Sequence, residues 1–518
     1  MTETSAMEPG PFAMDNIGMR LVSSFGFCGL LLYIGHEIRE NLACTRRIMI
    51  PASLVAGGLG LLFVQLCQLN DSVKATVEQD WIAGWRQAPE FLNNIVFTTL
   101  FMGQSSLPSF KQAWRLAGPQ LAYGQIVGWG NWVFGAAMTL ALFTPVFGEH
   151  AMFSSLVPTS MDGGHGTSAG IAPAYEAFGF DSGRELAFTL STFGVIFGCV
   201  VGTIVVNVGD RCGFSYKSYV MKSQDDAEKG ITPKTDPCED GEENGPEKDY
   251  FPTWKDKAVI PVQNRKSGSQ LTVANDAVDT MALHLAFVAL ALLLAYFTKR
   301  LLLVLEGTNQ WLVDNRLFSA FPLFPICMLW GLFIQVIVNK FFRVSPLDRG
   351  TMERIGGACL DFLVLTAIAT TNLSAVAESI GPLVILLVFS LVWQLVAFFF
   401  IAPLMLPNFW FERAIAELGK GFGTTSIGLL LLRMADPNNS TPALKCFSLK
   451  QGFYEPFMTG IILTVFLPLS VISNFIILGI STAAVLFWIG VWYFDFRKSK
   501  QGPQFARVYD PTYNNNNL

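Results

Sequence analysis

The sequence predicts an all-α polytopic membrane protein, built as two inverted-topology repeats of about five transmembrane helices with re-entrant hairpins, plus one extra C-terminal helix. Three observations predict it. Apolar runs of roughly 20 residues, enough to cross about 30 Å of hydrocarbon, recur along the chain between short polar breaks. Hydrophobic residues make up 51% and charged residues only 14%, a balance that soluble domains rarely show. Two glycine-rich polar segments, finally, occupy equivalent places in the two halves.

Taken in order, hydropathy places spans near 17–35, 48–68, 90–106, 119–143, 185–208, 278–298, 319–339, 355–372, 382–405, 453–472 and 474–494, about 11 in all. The third and eighth are short and threaded with Thr, Asn and Gln, which suits a helix facing protein or a water-filled site. Lys and Arg concentrate on the cytoplasmic side of membrane proteins. With the N-terminus outside, the inner loops hold Arg39, Arg46 and Arg47, then Lys111 and Arg115, then Lys340, Arg343, Arg349 and Arg354, and the tail holds Arg497, Lys498 and Lys500. Lys299, Arg300 and Arg316 go against that orientation.

The resulting organisation is an extracytoplasmic leader (1–16), an N-terminal transmembrane repeat (17–208), a cytoplasmic hydrophilic linker (209–275), a C-terminal inverted repeat (276–473), an additional helix (474–494) and a cytoplasmic tail (495–518). The linker is rich in Asp, Glu, Lys, Gly and Pro and is expected to be partly disordered. Five spans before a repeated unit put the second copy in the membrane upside down. No basic n-region precedes the first span, so no signal peptide is read. The 9 cysteines show no zinc or disulfide spacing. A net charge of −5 gives nucleic acid binding no support. No paired catalytic carboxylates, zinc-spaced histidines or nucleophile with a base are found, so an enzyme is not expected.

The first glycine segment reads Met161-Asp-Gly-Gly-His-Gly-Thr-Ser-Ala-Gly-Ile-Ala-Pro-Ala-Tyr175, and the second Glu417-Leu-Gly-Lys-Gly-Phe-Gly-Thr-Thr-Ser-Ile-Gly428. Aligned on Gly164 and Gly421, both contain Gly-x-Gly-Thr followed by Ser or Thr, and each follows the fourth span of its half. A second match, Leu92-Asn-Asn-Ile-Val-Phe-Thr-Thr with Leu360-Asp-Phe-Leu-Val-Leu-Thr-Ala, relates the third span to the eighth. Inside hydrocarbon an unpaired backbone group costs several kcal/mol, so non-helical chain survives only where protein or a polar cavity surrounds it. Helix ends beside such breaks offer positive N-termini to a carboxylate and carbonyls to a cation. A pair of re-entrant hairpins entering from opposite faces is the expectation; flexible surface loops are the alternative. Neither is a Walker A loop, because the Gly-Lys of the second is not followed directly by Ser or Thr.

The motif Gly163-Gly-His-Gly-Thr167, with Ile50-Pro-Ala-Ser-Leu-Val-Ala-Gly-Gly58 and Thr192-Phe-Gly-Val-Ile-Phe-Gly198, resembles the bacterial glutamate:sodium symporter family, most strongly in the first half of the chain. The resemblance implies two five-helix inverted repeats, a homodimer, elevator-like movement of a substrate-carrying core, and sodium-driven uptake of an acidic amino acid such as L-glutamate across the plasma membrane. The second hairpin departs from it. The family usually carries Gly-His-Cys-Gly-Phe-Gly there, whereas this chain reads Gly419-Lys-Gly-Phe-Gly423, so the resemblance leaves substrate and coupling ion open.

Candidate substrate residues are therefore Gly163, Gly164, His165, Gly166, Thr167 and Ser168 in hairpin one, and Gly419, Lys420, Gly421, Phe422, Gly423, Thr424 and Thr425 in hairpin two. His165, beside Asp162, can donate to a carboxylate or serve as a helix-end hydrogen bond. Lys420 can meet a carboxylate, substitute for a cation, or snorkel to the inner surface. Asp361 within the eighth span, with Thr366, Thr370, Thr371 and Asn372, forms a candidate sodium site, joined by Thr98, Thr99 and Gln104 of the third span. Each threonine alone is as readily explained by a bond to its own helix carbonyl. His36, Glu37, Arg39 and His284 are placed at membrane interfaces. The function read from this is cation-coupled symport, with sodium as coupling ion and no cofactor. A proton-coupled carrier or exchanger of another organic anion, and a receptor or sensor on a transporter scaffold, are the alternatives.

Overall fold

The computed structural model describes residues 17–48, 50–70, 73–74, 77–82, 84–104, 110–216, 270–274, 276–314, 318–319, 321–342, 344–436 and 441–497. The leader, most of the linker and nearly all of the tail expected from sequence lie outside them. Every regular element among the described residues is a helix: α1 (Ile17–Asn41), α2 (Ala52–Cys67), α3 (Ala88–Thr99), α4 (Phe110–Met138, running on to Phe147), α5 (Gly164–Ala177), α6 (Gly183–Cys212), α7 (Thr280–Gly307), α8 (Phe324–Phe341), α9 (Arg349–Ala369), α10 (Ile380–Val396, running on to Met405), α11 (Trp410–Gly421), α12 (Thr425–Ala435), α13 (Ala443–Tyr454, running on to Ile472) and α14 (Asn474–Val491, running on to Phe496), with shorter turns between them.

Eight of these helices, α1, α4, α6, α7, α8, α10, α13 and α14, are long and apolar enough to cross a membrane. Their outward faces expose large apolar side chains such as Leu21, Phe25, Leu301, Val388, Leu486 and Phe487, which only a lipid surround makes favourable over so wide an area. The protein is a polytopic, multi-pass membrane protein. The remaining predicted spans are α2, shorter at 16 residues, α3, and the more polar α9. In α3, Asn93, Asn94, Thr98 and Thr99 are all buried, so its polar face meets protein rather than lipid.

Small residues let these polar helices approach their neighbours closely. Gly57 and Gly60 of α2 lie against Ile368 and Ala369 of α9, Gly331 of α8 against the Thr98 carbonyl of α3, and Gly356 of α9 against Thr99. α3 stops at Thr99, seven residues short of the predicted end at 106, because its C-terminal carbonyls are captured. The Arg349 guanidinium donates to the carbonyls of Thr99, Leu100 and Met102 at 3.3, 2.7 and 3.2 Å. Gly103, at φ +81°, then turns the chain, and Gln335 of α8 accepts from its N–H at 2.7 Å while donating to the Gln104 carbonyl at 3.0 Å. Gln335→Leu is expected to strand the Gly103 N–H, at about 1–3 kcal/mol, and to leave the Gln104 carbonyl to Asn339 alone, which also donates to it at 3.0 Å. Thermal unfolding of detergent-purified protein reads this as a midpoint several degrees lower; an unchanged midpoint would remove the bridge from the account.

Two basic residues that go against the charge rule have a local use. α7 continues past the predicted 298 to Gly307, and Lys299 donates from it to the carbonyls of Phe318, Ser319 and Phe321, closing the following loop. Arg300 bonds Tyr296 at 3.0 Å. Arg316 lies outside the described residues. His284 is buried within the protein near the start of α7, its Nδ1 facing the Thr280 carbonyl at 2.6 Å and its Nε2 accepting from the Asp348 N–H at 2.7 Å.

Candidate functional site

Both glycine segments fold as hairpins of broken helix. In the first, a short turn at Ala151–Ser155 and a wide turn at Pro158–Asp162 run down to Gly163 and Gly164, and α5 runs back. In the second, α11 ends at Gly421 and α12 starts after the N-cap Thr424, whose hydroxyl accepts from the Ile427 N–H at 3.3 Å. The tips touch. Gly164 adopts φ +71°, and a Cβ there would strike the Gly423 carbonyl and the Thr424 methyl. The Phe422 carbonyl packs on Gly194 of α6, and Gly419 packs on Gly428 across the second hairpin. Glycine is required at these places because two backbones share the space.

The N-termini of α5 and α12 thus meet where the two motifs touch. Each carries backbone N–H groups without helical partners and the positive end of a helix dipole. Around them lie polar groups that make no hydrogen bond: His165 Nδ1, Thr167 Oγ1 and both side-chain atoms of Asn93. Asn93 of α3 faces Gly166 and Gly170 of α5. His165 Nε2 lies 3.0 Å from the Thr192 hydroxyl of α6, which itself donates to the Phe188 carbonyl at 2.9 Å. Thr192 has only one proton to give, so the ring donates from Nε2, and Nδ1 is left as a buried acceptor. Ser168 bonds Ser191 at 2.9 Å.

A cluster of charges joins the hairpins just beside this junction. Lys420 and Asp162, both buried, form an ion pair between the tips. The other carboxylate oxygen of Asp162 accepts from the Tyr454 hydroxyl of α13 at 2.7 Å. Lys450, fully buried, pairs with Glu417 at 2.8 Å and bonds Gln451 at 2.8 Å, while Gln120 of α4 donates to Glu417 at 3.0 Å. Both ammonium groups lie over the Tyr454 ring, 3.9 and 3.7 Å from its centroid. Thr425 and Gln451 extend the network to Glu455, at 3.0 and 2.8 Å. Two turns before Lys420 on α11, buried Arg413 has Nε and Nη1 without hydrogen-bond partners.

The hairpin residues singled out from sequence come together here, and the third- and eighth-span group does not join them. Thr98, Thr99, Thr366, Thr370 and Thr371 donate to their own helix carbonyls at 2.7–3.0 Å. Asn372 caps a short helix through the Ser374 N–H at 3.0 Å. Gln104 takes part through its backbone carbonyl, and Asp361 is exposed on the surface of the chain, beside Ser53. The site also includes Glu417, Lys450, Tyr454, Gln120 and Arg413, which sequence reasoning missed. Lys450 and Glu417 carry a signal, as charges flanked by apolar chain, but the tenth predicted span starts at 453, whereas α13 begins ten residues earlier at Ala443.

A cavity of about 430 Å³ opens on the end of the molecule where loops 148–150, 179–182 and 372–378 gather, lined among others by Arg86, Glu149, His150, Asp181 and Glu185. A smaller one of about 180 Å³ adjoins it at Arg86 and runs between α3, α5 and α6, past Glu90, Glu176 and Arg184. Arg184 is fixed by Glu185 at 3.1 Å, the Arg86 carbonyl at 3.1 Å and Thr370 at 3.4 Å. In the larger cavity, burial pushes the His150 imidazole below its usual range, against the charge of Asp181 and the Phe178 carbonyl. The neutral ring stacks on Phe180 and accepts from the Met152 N–H at 3.2 Å.

Two touching hairpins of broken helix thus enclose a buried polar junction inside a polytopic membrane protein. Over residues 17–229 the chain matches the family model described as Sodium/glutamate symporter. The match covers α1 to α6, and with them Gly163–Thr167; Lys420 and the rest of hairpin two lie beyond it. It points to carriage across a membrane, with glutamate and sodium as the ligands of that family, rather than to an enzyme. No curated protein matches the chain.

Proposed function

We propose that the protein is a sodium-coupled secondary transporter of glutamate or a similar small acidic amino acid, working as a homodimer in the plasma membrane by elevator-type movement of the hairpin-bearing core. The observation that carries this reading is the meeting of the α5 and α12 N-termini at Gly164, Gly423 and Thr424. Two positive helix ends suit the two carboxylates of such a substrate. His165 Nδ1, as an acceptor, suits the substrate's amino group. The oxygens of Asn93 and Thr167 that make no hydrogen bond suit a sodium ion.

The inverted-repeat reading draws support from the packing. α2 lies on α9 as α8 lies on α3, α1 lies on α2 as α7 lies on α8, and α3 and α9 lie on each other. Exchange of the two halves by a two-fold axis in the membrane plane generates these pairs from one another. Coupling then arises from charge. Sodium and substrate together neutralise the junction, so the loaded core moves through the membrane more cheaply than a half-loaded one.

Uptake of labelled glutamate, aspartate and other small organic acids into proteoliposomes, under imposed sodium or proton gradients, tests this. Glutamate accumulation that requires an inward sodium gradient is expected. Accumulation on a proton gradient alone would replace the coupling ion, binding without accumulation would favour a sensor, and inertness of folded protein to every acid would overturn the proposal.

A further inference from the structure

We propose that the Lys420 ammonium stands in the place of a bound monovalent cation at the hairpin junction, a tethered ion that the chain supplies for itself. The inference rests on the hairpins being the transport centre, but its test reads ion binding and not transport, so the two can fail separately.

The groups that hold this ammonium are negative or electron-rich, and the positive charge beside it, Lys450 over the same Tyr454 ring at 3.7 Å, has its own carboxylate in Glu417. Asp162 supplies a carboxylate from hairpin one, at the C-terminal end of the Pro158–Asp162 turn. Tyr454 presents its ring face at 3.9 Å and anchors the second Asp162 oxygen with its hydroxyl at 2.7 Å. Lys420 itself sits in the last turn of α11, where the helix dipole and the unpaired terminal carbonyls favour positive charge. A carboxylate, two helix C-termini and an aromatic face, buried away from water, are the surroundings that a discontinuous membrane helix offers to a coupling cation. Lys450 lies over the same Tyr454 ring at 3.7 Å, but its ion pair is with Glu417, at 2.8 Å, and the ion pair to Asp162 is made by Lys420. Lys420 is therefore the cation of this seat. The seat draws no sodium from solution, and any coupling sodium binds elsewhere in the junction.

Removing the ammonium separates a tethered ion from a mere structural clamp. In Lys420→Ala the Asp162 carboxylate stays buried with Tyr454 and an adjacent space, so a tethered ion predicts that sodium now enters. The experiment is thermal unfolding of the purified full-length protein in sodium chloride against choline chloride at equal ionic strength, for wild type, Lys420→Ala, Lys420→Arg and Lys420→Ala/Asp162→Asn. Lys420→Ala is expected to gain a sodium-specific rise in midpoint of about 1 °C or more beyond any wild-type response, which for a chain of 518 residues is equivalent to roughly 1 kcal/mol of ligand binding. Lys420→Arg, which keeps the charge, and the double variant, which lacks the carboxylate, are expected to gain none. A Lys420→Ala protein that sodium stabilises no more than wild type, or one that folds only when Asp162→Asn is added and not when sodium is, overturns the proposal.

Discussion

Asp162→Ala is expected to give a protein that unfolds far below wild type and takes up no substrate. Removing one partner of a buried ion pair leaves the other charge uncompensated, which costs about 3–5 kcal/mol, and here Tyr454 loses its acceptor as well. Lys420, buried between the hairpins, has no water to turn to. The double variant Asp162→Ala/Lys420→Ala should recover a substantial part of the loss, because it removes both charges together. Midpoints for the two single variants and the double one form a cycle that isolates the coupling between hairpins. A single Asp162→Ala variant as stable as one carrying an ordinary surface substitution would mean that the pair does not hold the tips together.

Gly164→Ala should cost function out of proportion to stability. A left-handed backbone costs a non-glycine residue about 1–2 kcal/mol, and that part of the effect is shared by Gly148, which has φ +72° and open space around it. What Gly148 lacks is the facing strand of chain. At Gly164 the new methyl would meet the Gly423 carbonyl and the Thr424 side chain, so the N-termini of α5 and α12 must part. Gly148→Ala is expected to keep near-normal uptake, whereas Gly164→Ala loses roughly tenfold or more, the equivalent of about 1.4 kcal/mol in the affinity for substrate. Equal uptake by the two variants would show that contact between the tips is not needed.

These two residues also mark how far the sequence can be read. Helices lie at all eleven predicted span positions, because a run of apolar residues long enough to cross lipid has few other fates. The hairpins are legible for the same reason in reverse: Gly163-Gly164 and Gly419-Lys-Gly421 are too polar and too rich in glycine for lipid, yet lie between apolar flanks. Which residue pairs with which is not legible. Asp162 and Lys420 are 258 positions apart, and nothing in local pattern joins them. Lys450 and Glu417 look like loop charges until the backbone brings α11 against α13 and buries both. The third- and eighth-span threonines cannot be read from pattern alone for a plain reason: a hydroxyl in a membrane helix has its own carbonyl four residues back, and Thr98, Thr366, Thr370 and Thr371 all use it.

The central claim, that the junction of the two hairpins binds an acidic amino acid together with sodium, is tested most directly by glutamate binding to the purified protein, titrated calorimetrically in sodium and in choline. The account predicts that sodium tightens glutamate, and, because linkage is reciprocal, that glutamate tightens sodium by the same factor. Glutamate that binds equally well in choline, or does not bind in either, would contradict it.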